Sequence, residues 1–149
     1  LGIPASIPPE YISDLPVRLG IYQRMIKLEE LEEVGGMEDE LRDRFGPLPW
    51  QVQNLLYVAR LKLRAQRAGV ASITRGDDRI VVWLEDEVGG ARQVLQRVLG
   101  KRAAVGNTQI RMDASQFPDG WEQPLMDAME KMVDFRERVE AGIQAAVAQ

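Results

Sequence analysis

Ten residues, Glu40-Leu41-Arg42-Asp43-Arg44-Phe45-Gly46-Pro47-Leu48-Pro49, close one helix and open another. Gly46 supplies the left-handed backbone that ends a helix, Pro47 blocks its continuation, and Pro49 presets φ for the first turn of the next. Two helices must meet at an angle here. Glu40 and Asp43, three residues apart, share one face of the first helix, while Leu41 and Phe45, four apart, share another. The apolar pair seats the corner in a core and leaves the carboxylates facing outward.

This corner belongs to a helical half. Ser13 or Asp14 can cap a first helix with Pro16 in its opening turn, and Leu15, Leu19, Tyr22 and Ile26 recur at helical spacing, flanked by Val17, Ile21 and Met25. If that helix ran on, Glu29, Glu30, Glu32 and Glu33 would sit at its C-terminus, where the dipole disfavours anions. A turn near Lys27 to Glu30 instead places the same glutamates in the first turn of a second helix, with Val34, Met37, Leu41 and Phe45 as its buried stripe. Gly35-Gly36 within it costs about 0.8–1 kcal/mol per glycine against alanine, and a break at the glycines is the alternative. From Pro49 to Ala68 a third helix is apolar around most of its circumference, leaving Arg60, Arg64 and Arg67 as a narrow polar stripe and Gly69 as the C-cap.

Beyond Gly69 the period changes. Ala71-Ser72-Ile73-Thr74 and Arg79 to Leu84, joined through Gly76-Asp77-Asp78, read as a hairpin, and Thr108 to Met112 as a third strand. Gly89 to Leu99 returns to helical spacing, and a long last helix runs from about Asp119 to Ala146 with Leu125, Met129, Met132, Val139 and Ile143 as its stripe. The expected fold is α+β: an N-terminal helical unit packed on a small, mostly antiparallel sheet with flanking helices and a long C-terminal helix.

Composition narrows the chemistry. The 149 residues are enough for one domain with its own core. No apolar run reaches the roughly 18–20 residues of a membrane span, and the opening residues lack the pattern of a signal peptide. The chain has no cysteine, which excludes disulfides and thiolate metal sites, and no histidine, which removes the usual general base and the commonest transition-metal ligand. No phosphate-cradling G-x-x-x-x-G-K-[ST] is present. The carboxylate pairs Glu85/Glu87 and Asp77/Asp78 sit in turn-like sequence and read as solvated loop residues. No catalytic, cofactor-binding or metal-ligating residue is therefore assigned.

Two charged features are left. The Arg60, Arg64, Arg67 stripe has the minimal form of a phosphate-binding helix face, yet the chain's net charge is −4, and salt bridges to neighbouring acids account for the stripe equally well. Glu29 to Asp43 holds eight acids against one base, Arg42, a local charge of −7. That run is either a solvated face or a docking surface for a basic partner, with Glu40 and Asp43 making paired contacts to arginines.

The order of these features resembles the family of C-terminal domains of the bacterial transcription-repair coupling factor. The matching residues are Ile7-Pro8-Pro9-Glu10-Tyr11-Ile12 with Asp14, Arg18-Leu19, Tyr22-Gln23-Arg24, Glu40-Leu41 with Asp43-Arg44-Phe45-Gly46, Leu48-Pro49, Leu55-Leu56 and Ala59-Arg60-Leu61. They cover about the first seventy residues closely; after Gly69 the match rests on the order of elements. The resemblance implies a non-catalytic regulatory domain of an ATP-dependent DNA translocase that displaces stalled RNA polymerase and recruits nucleotide excision repair. ATP and magnesium belong to the upstream motor of that parent, and none is expected here. In that family the domain packs on the N-terminal repair-protein-like domain and masks its UvrA-binding surface. This would make Glu40 and Asp43 the interdomain docking residues and UvrA and RNA polymerase indirect partners. The domain reading is then residues 1–12 as an extended linker from the motor and 13–149 as one C-terminal regulatory domain, in a cytoplasmic protein with no membrane partner. Direct DNA binding is not expected; the alternative is a nucleic-acid-binding module using the Arg60/Arg64/Arg67 face.

Overall fold

Asp14 starts the first helix. In the computed structural model, which describes residues 1–148, its carboxylate accepts the Val17 amide at 3.1 Å and opens α1 (Leu15–Ile26) with Pro16 in the first turn. The chain turns at Lys27 to Glu30, and α2 (Leu31–Phe45) begins with Glu32 and Glu33 in its first turn, where the dipole favours them. Gly35 and Gly36 lie inside α2 without breaking it. Gly46, at φ +91°, ends it with its amide on the Arg42 carbonyl at 3.0 Å, and α3 (Trp50–Arg67) follows Pro49. The expected turn before the acidic helix and the corner at Gly46 are both present.

The described residues divide into two compact units, 2–63 and 64 onward with residue 1. The core of the first unit joins Ile7, Ile12, Ile21, Val34, Met37, Leu41, Val52, Leu56 and Leu63, with Phe45 half-buried against it. The N-terminal segment is tied into this unit: the Ile7 amide donates to the Tyr22 hydroxyl at 2.6 Å, and Ser6 donates to the Gln51 carbonyl at 3.3 Å. The Tyr11 hydroxyl lies 3.0 Å from the Leu41 carbonyl and 2.8 Å from that of Gly46, so its proton is shared between two carbonyls at the end of α2. Burial pushes the Tyr11 phenol above its ordinary pKa, so it remains a donor.

One face differs from the sequence expectation. Leu15, Leu19 and Ile26 are exposed, at 54%, 51% and 75%, whereas Val17, Ile21, Tyr22 and Met25 pack inward. α1 is apolar on more than one side, so periodicity alone does not choose its rotation. Two arginines do: Arg18 donates to the Ile12 carbonyl at 2.7 Å and Arg24 reaches Glu40 of α2. Their positions on the helical wheel flank Ile21, so both guanidiniums find acceptors only when Ile21 faces the core.

The second unit is a four-stranded antiparallel sheet with helices. β1 (Val70–Arg75), β2 (Arg79–Leu84), β3 (Ala103–Val105) and β4 (Gln109–Asp113) are ordered β1-β2-β4-β3. A 3-10 turn at Gly89–Ala91 leads into α4 (Arg92–Leu99), and a second at Ala114–Gln116 precedes α5 (Glu122–Val147). Ile80 pairs with Met112 and Val82 with Ile110; these side chains are buried, as are Leu95 and Leu99 of α4 and Leu125, Met129 and Met132 of α5. β3 was not expected from sequence. Two of its three residues, Ala103 and Ala104, have little strand preference, and its place comes from pairing with Met112, Arg111 and Ile110 and from Gln96 of α4, which bridges the Ala103 carbonyl and the Val105 amide at 2.7 and 2.9 Å. The expected α5 stripe also stops short: Val139 and Ile143 are 42% and 59% exposed, because burial along this helix ends near Met132.

These packing assignments predict unequal responses to the same truncation. Leu41→Ala removes a fully buried side chain and should cost about 2–5 kcal/mol, whereas Leu19→Ala on the exposed side of α1 should stay within about 0.5 kcal/mol. Urea unfolding of the two variants measures both; equal losses would mean that α1 is rotated from the orientation described.

Candidate docking face

α2 buries Val34, Met37 and Leu41, so the opposite side of the helix must carry its charge into solvent. Glu40 and Asp43 lie on that side, but their surroundings differ. Glu40 is held bidentately by Arg24, with Nη1 to Oε2 at 2.6 Å and Nη2 to Oε1 at 2.9 Å, and Arg44 adds a contact to Oε2 at 3.3 Å. The Arg24 hydrogen bond holds the Glu40 carboxyl below its ordinary range, and the same bond raises the Arg24 guanidinium. The Arg44 guanidinium also lies 4.8 Å from the centre of the Phe45 ring, which itself tilts against Tyr11 with ring centres 5.8 Å apart. Asp43 is exposed and, among the described residues, forms no ion pair.

The acidic run is thus less uniform than its sequence. Glu38 pairs with Arg60 at 3.3 Å and Asp39 approaches Arg42 at 3.7 Å. With Glu40 also engaged, the anions of the run that form no ion pair among the described residues include Asp43, Glu32 and Glu33, all exposed. Sequence reasoning treated Glu40 and Asp43 as two equivalent free carboxylates. It missed Arg24 as the group that fixes Glu40, since a link between residues sixteen apart on two helices has no local signal. The one available hint was Arg24 itself, a base on a helix otherwise short of acids.

The other candidates resolve into ordinary surface chemistry. Arg60 pairs with Glu38, and Arg64 with Glu130 at 3.1 Å, so salt bridging accounts for two of the three cations in the α3 stripe. Asp77 and Asp78 occupy the β1–β2 turn, and Glu85 and Glu87 follow β2, all exposed. Among the described residues no group of three acids, histidines or cysteines is placed to hold a metal, and no helix is long and apolar enough to cross a membrane.

Many residues that carried the family resemblance perform these structural tasks. Tyr11 closes α2, Tyr22 tethers Ile7, Arg18 and Arg24 set the rotation of α1, and Glu40 receives Arg24. Comparison with known proteins agrees. The TRCF domain family model matches residues 1–91. The transcription-repair-coupling factor of Rickettsia bellii is 34% identical over 113 residues, covering 76% of this chain and 10% of the relative. That of Staphylococcus haemolyticus is 32% identical over 117 residues, covering 75% and 10%. The chain therefore spans about a tenth of the length of these curated relatives. A crystal structure of the C-terminal domain of transcription-repair coupling factor shares the fold at a TM-score of 0.79 and 23% identity, over 93% of this chain and 92% of that one. With the family model matched over more than half its length, this chain belongs to the TRCF domain family of transcription-repair coupling factors.

Proposed function

We propose that this domain is a removable lid within a larger, ATP-driven DNA translocase that clears stalled RNA polymerase. In this reading the outer face of α2 docks on an arginine-bearing surface of the N-terminal repair-protein-like domain of the same protein and masks the site for UvrA. Engagement of polymerase releases the contact. Motor chemistry, with its ATP and magnesium, lies outside the 149 residues, which act as a surface and not as a catalyst in the cytoplasm. Residues 1–12 carry the connection from the motor, and 13–149 form the regulatory part.

The observation that carries this reading is Asp43, an exposed motif carboxylate with no ion-pair partner among the described residues, adjacent to an engaged Glu40. A side chain that folding does not need is available for recognition. Glu40, by contrast, meets a partner arginine only by sharing its oxygens with Arg24 and Arg44, so the two acids contribute unequally. A lid that opens requires a coupling of modest size, about 1–3 kcal/mol, equivalent to a 5- to 150-fold change in the partner's affinity. Asp43→Lys in the full-length protein should therefore raise UvrA affinity by a factor in that range and leave thermal unfolding of the domain unchanged. Unaltered affinity in a titration would remove Asp43 from the contact.

Glu40 predicts a pH dependence of different origin. Its folded pKa is depressed by Arg24, so the stability it contributes is complete above the ordinary carboxylate value of about 4.3 and is lost as pH falls through the lower folded value. The pair is partly exposed, with side chains 50% and 32% accessible, which limits it to about 0.2–1 kcal/mol. Glu40→Gln should lower the melting temperature slightly at pH 7, and the gap from the parent chain should close as the pH falls through the depressed folded value of Glu40. A gap that persists through acid would show that the charge is not its source.

A further inference from the structure

The second unit leaves one face of its sheet uncovered. On β2, Arg79 and Trp83 lie four residues apart and point the same way, about 13 Å from one another along the strand. Across on β4, Arg111 stands opposite Val81 and Gln109 opposite Trp83; on β3, Ala104 pairs with Arg111. Arg79, Trp83, Ala104 and Arg111 are all exposed, whereas the alternate residues Ile80, Val82, Ile110 and Met112 are buried. The Trp83 indole N–H donates to the Thr74 hydroxyl of β1 at 3.4 Å, on the side of β2 opposite β4, and the residue is 42% accessible.

The same face is cationic. A depression of about 300 Å³ beside β4 gathers Arg79, Lys101, Arg102 and Arg111 with two acids, Asp78 and Asp113. Asp113 accepts the Ser115 amide at 3.0 Å and its hydroxyl at 2.6 Å but keeps its charge, and it offsets part of that of Arg79, which it faces across the β2–β4 pair. Among the described residues neither Lys101 nor Arg111 has a carboxylate partner. The unit that carries the sheet, residues 64–149, has twelve basic and thirteen acidic residues, a net charge of −1, so the cations at this face are a local concentration within a nearly neutral unit.

We infer that this open sheet face, Trp83 with Arg79, Lys101 and Arg111, binds single-stranded nucleic acid. The chemistry required is a ring on which an unstacked base can lie and a row of cations that follows a phosphate backbone, and a flat antiparallel sheet presents both. An acidic peptide would satisfy the cations but leave the ring unexplained, and peptides that add to sheets use the edge and not the face. The surface is distinct from the α2 face and from the Arg60/Arg64/Arg67 stripe, whose first two cations are paired.

The test is fluorescence anisotropy of a labelled twelve-nucleotide oligothymidylate titrated with the 149-residue chain. Three phosphate contacts give a log–log salt slope of about −2, roughly an 18-fold loss of affinity between 50 and 200 mM salt. Arg79→Glu with Arg111→Glu should abolish binding, Trp83→Ala should weaken it at least about five-fold, and Trp83→Phe, which keeps a stackable ring, should retain most of it. Because all three positions are exposed, circular dichroism melts should be unchanged. Any of four results overturns the inference: no binding at low salt, binding indifferent to Trp83→Ala, equal or tighter binding of a duplex of the same length, or equal competition by polyglutamate of matched charge.

Discussion

Where α2 stops determines what its outer face presents. Gly46 takes a backbone conformation at φ +91° that other residues adopt only with strain, and the Tyr11 hydroxyl serves the Leu41 and Gly46 carbonyls at that end. With the end fixed and Val34, Met37 and Leu41 buried on one side, no rotation of the helix remains in which Glu40 and Asp43 could turn inward. A one-residue slip would rotate every side chain by about 100° and replace the apolar stripe with charge. The charge pattern of the face is thus a consequence of the core and the stop together.

The sequence announced that corner because glycine and proline act through the backbone alone, independently of what lies nearby. The hairpin from Val70 to Leu84 was legible for the related reason that its β-branched run and polar turn are local. What escaped reading depended on distant partners. The rotation of α1 is set by carbonyls at Ile12 and Ser13 and by Glu40. The short β3 strand exists because β4 and Gln96 supply its hydrogen bonds. The candidate site was half legible: helical spacing placed Glu40 and Asp43 on one outer side, but nothing in their spacing distinguished a carboxylate held by two arginines from one held by none.

That distinction bears on how a reversible contact can be built. A docking acid surrounded only by solvent offers its full charge to a partner, and a strong bidentate pair results. A docking acid already gripped by Arg24 and Arg44 offers a partner only what those arginines release. Their presence preserves the shape of the face when the partner is absent and limits what the partner gains when it arrives. Placing one free and one engaged carboxylate within a single helical turn therefore produces a preorganised surface of moderate strength, the combination that the docking role proposed above would require.

The charge of the whole chain hides this division of labour. Its −4 is the sum of −7 from residues 29–43, +4 from the rest of residues 1–63 and −1 from residues 64–149, and within that last, nearly neutral part the cations around β2 and β4 are concentrated where the sheet is open. Long-range attraction falls off within about 8–10 Å in physiological salt, so each face is sensed by a partner as its own local field and not as the average. A basic protein surface and an anionic polymer would therefore be drawn to different parts of one small chain. Inverting the charge of one part need not disturb the other, which is why the two can be tested separately by substitution.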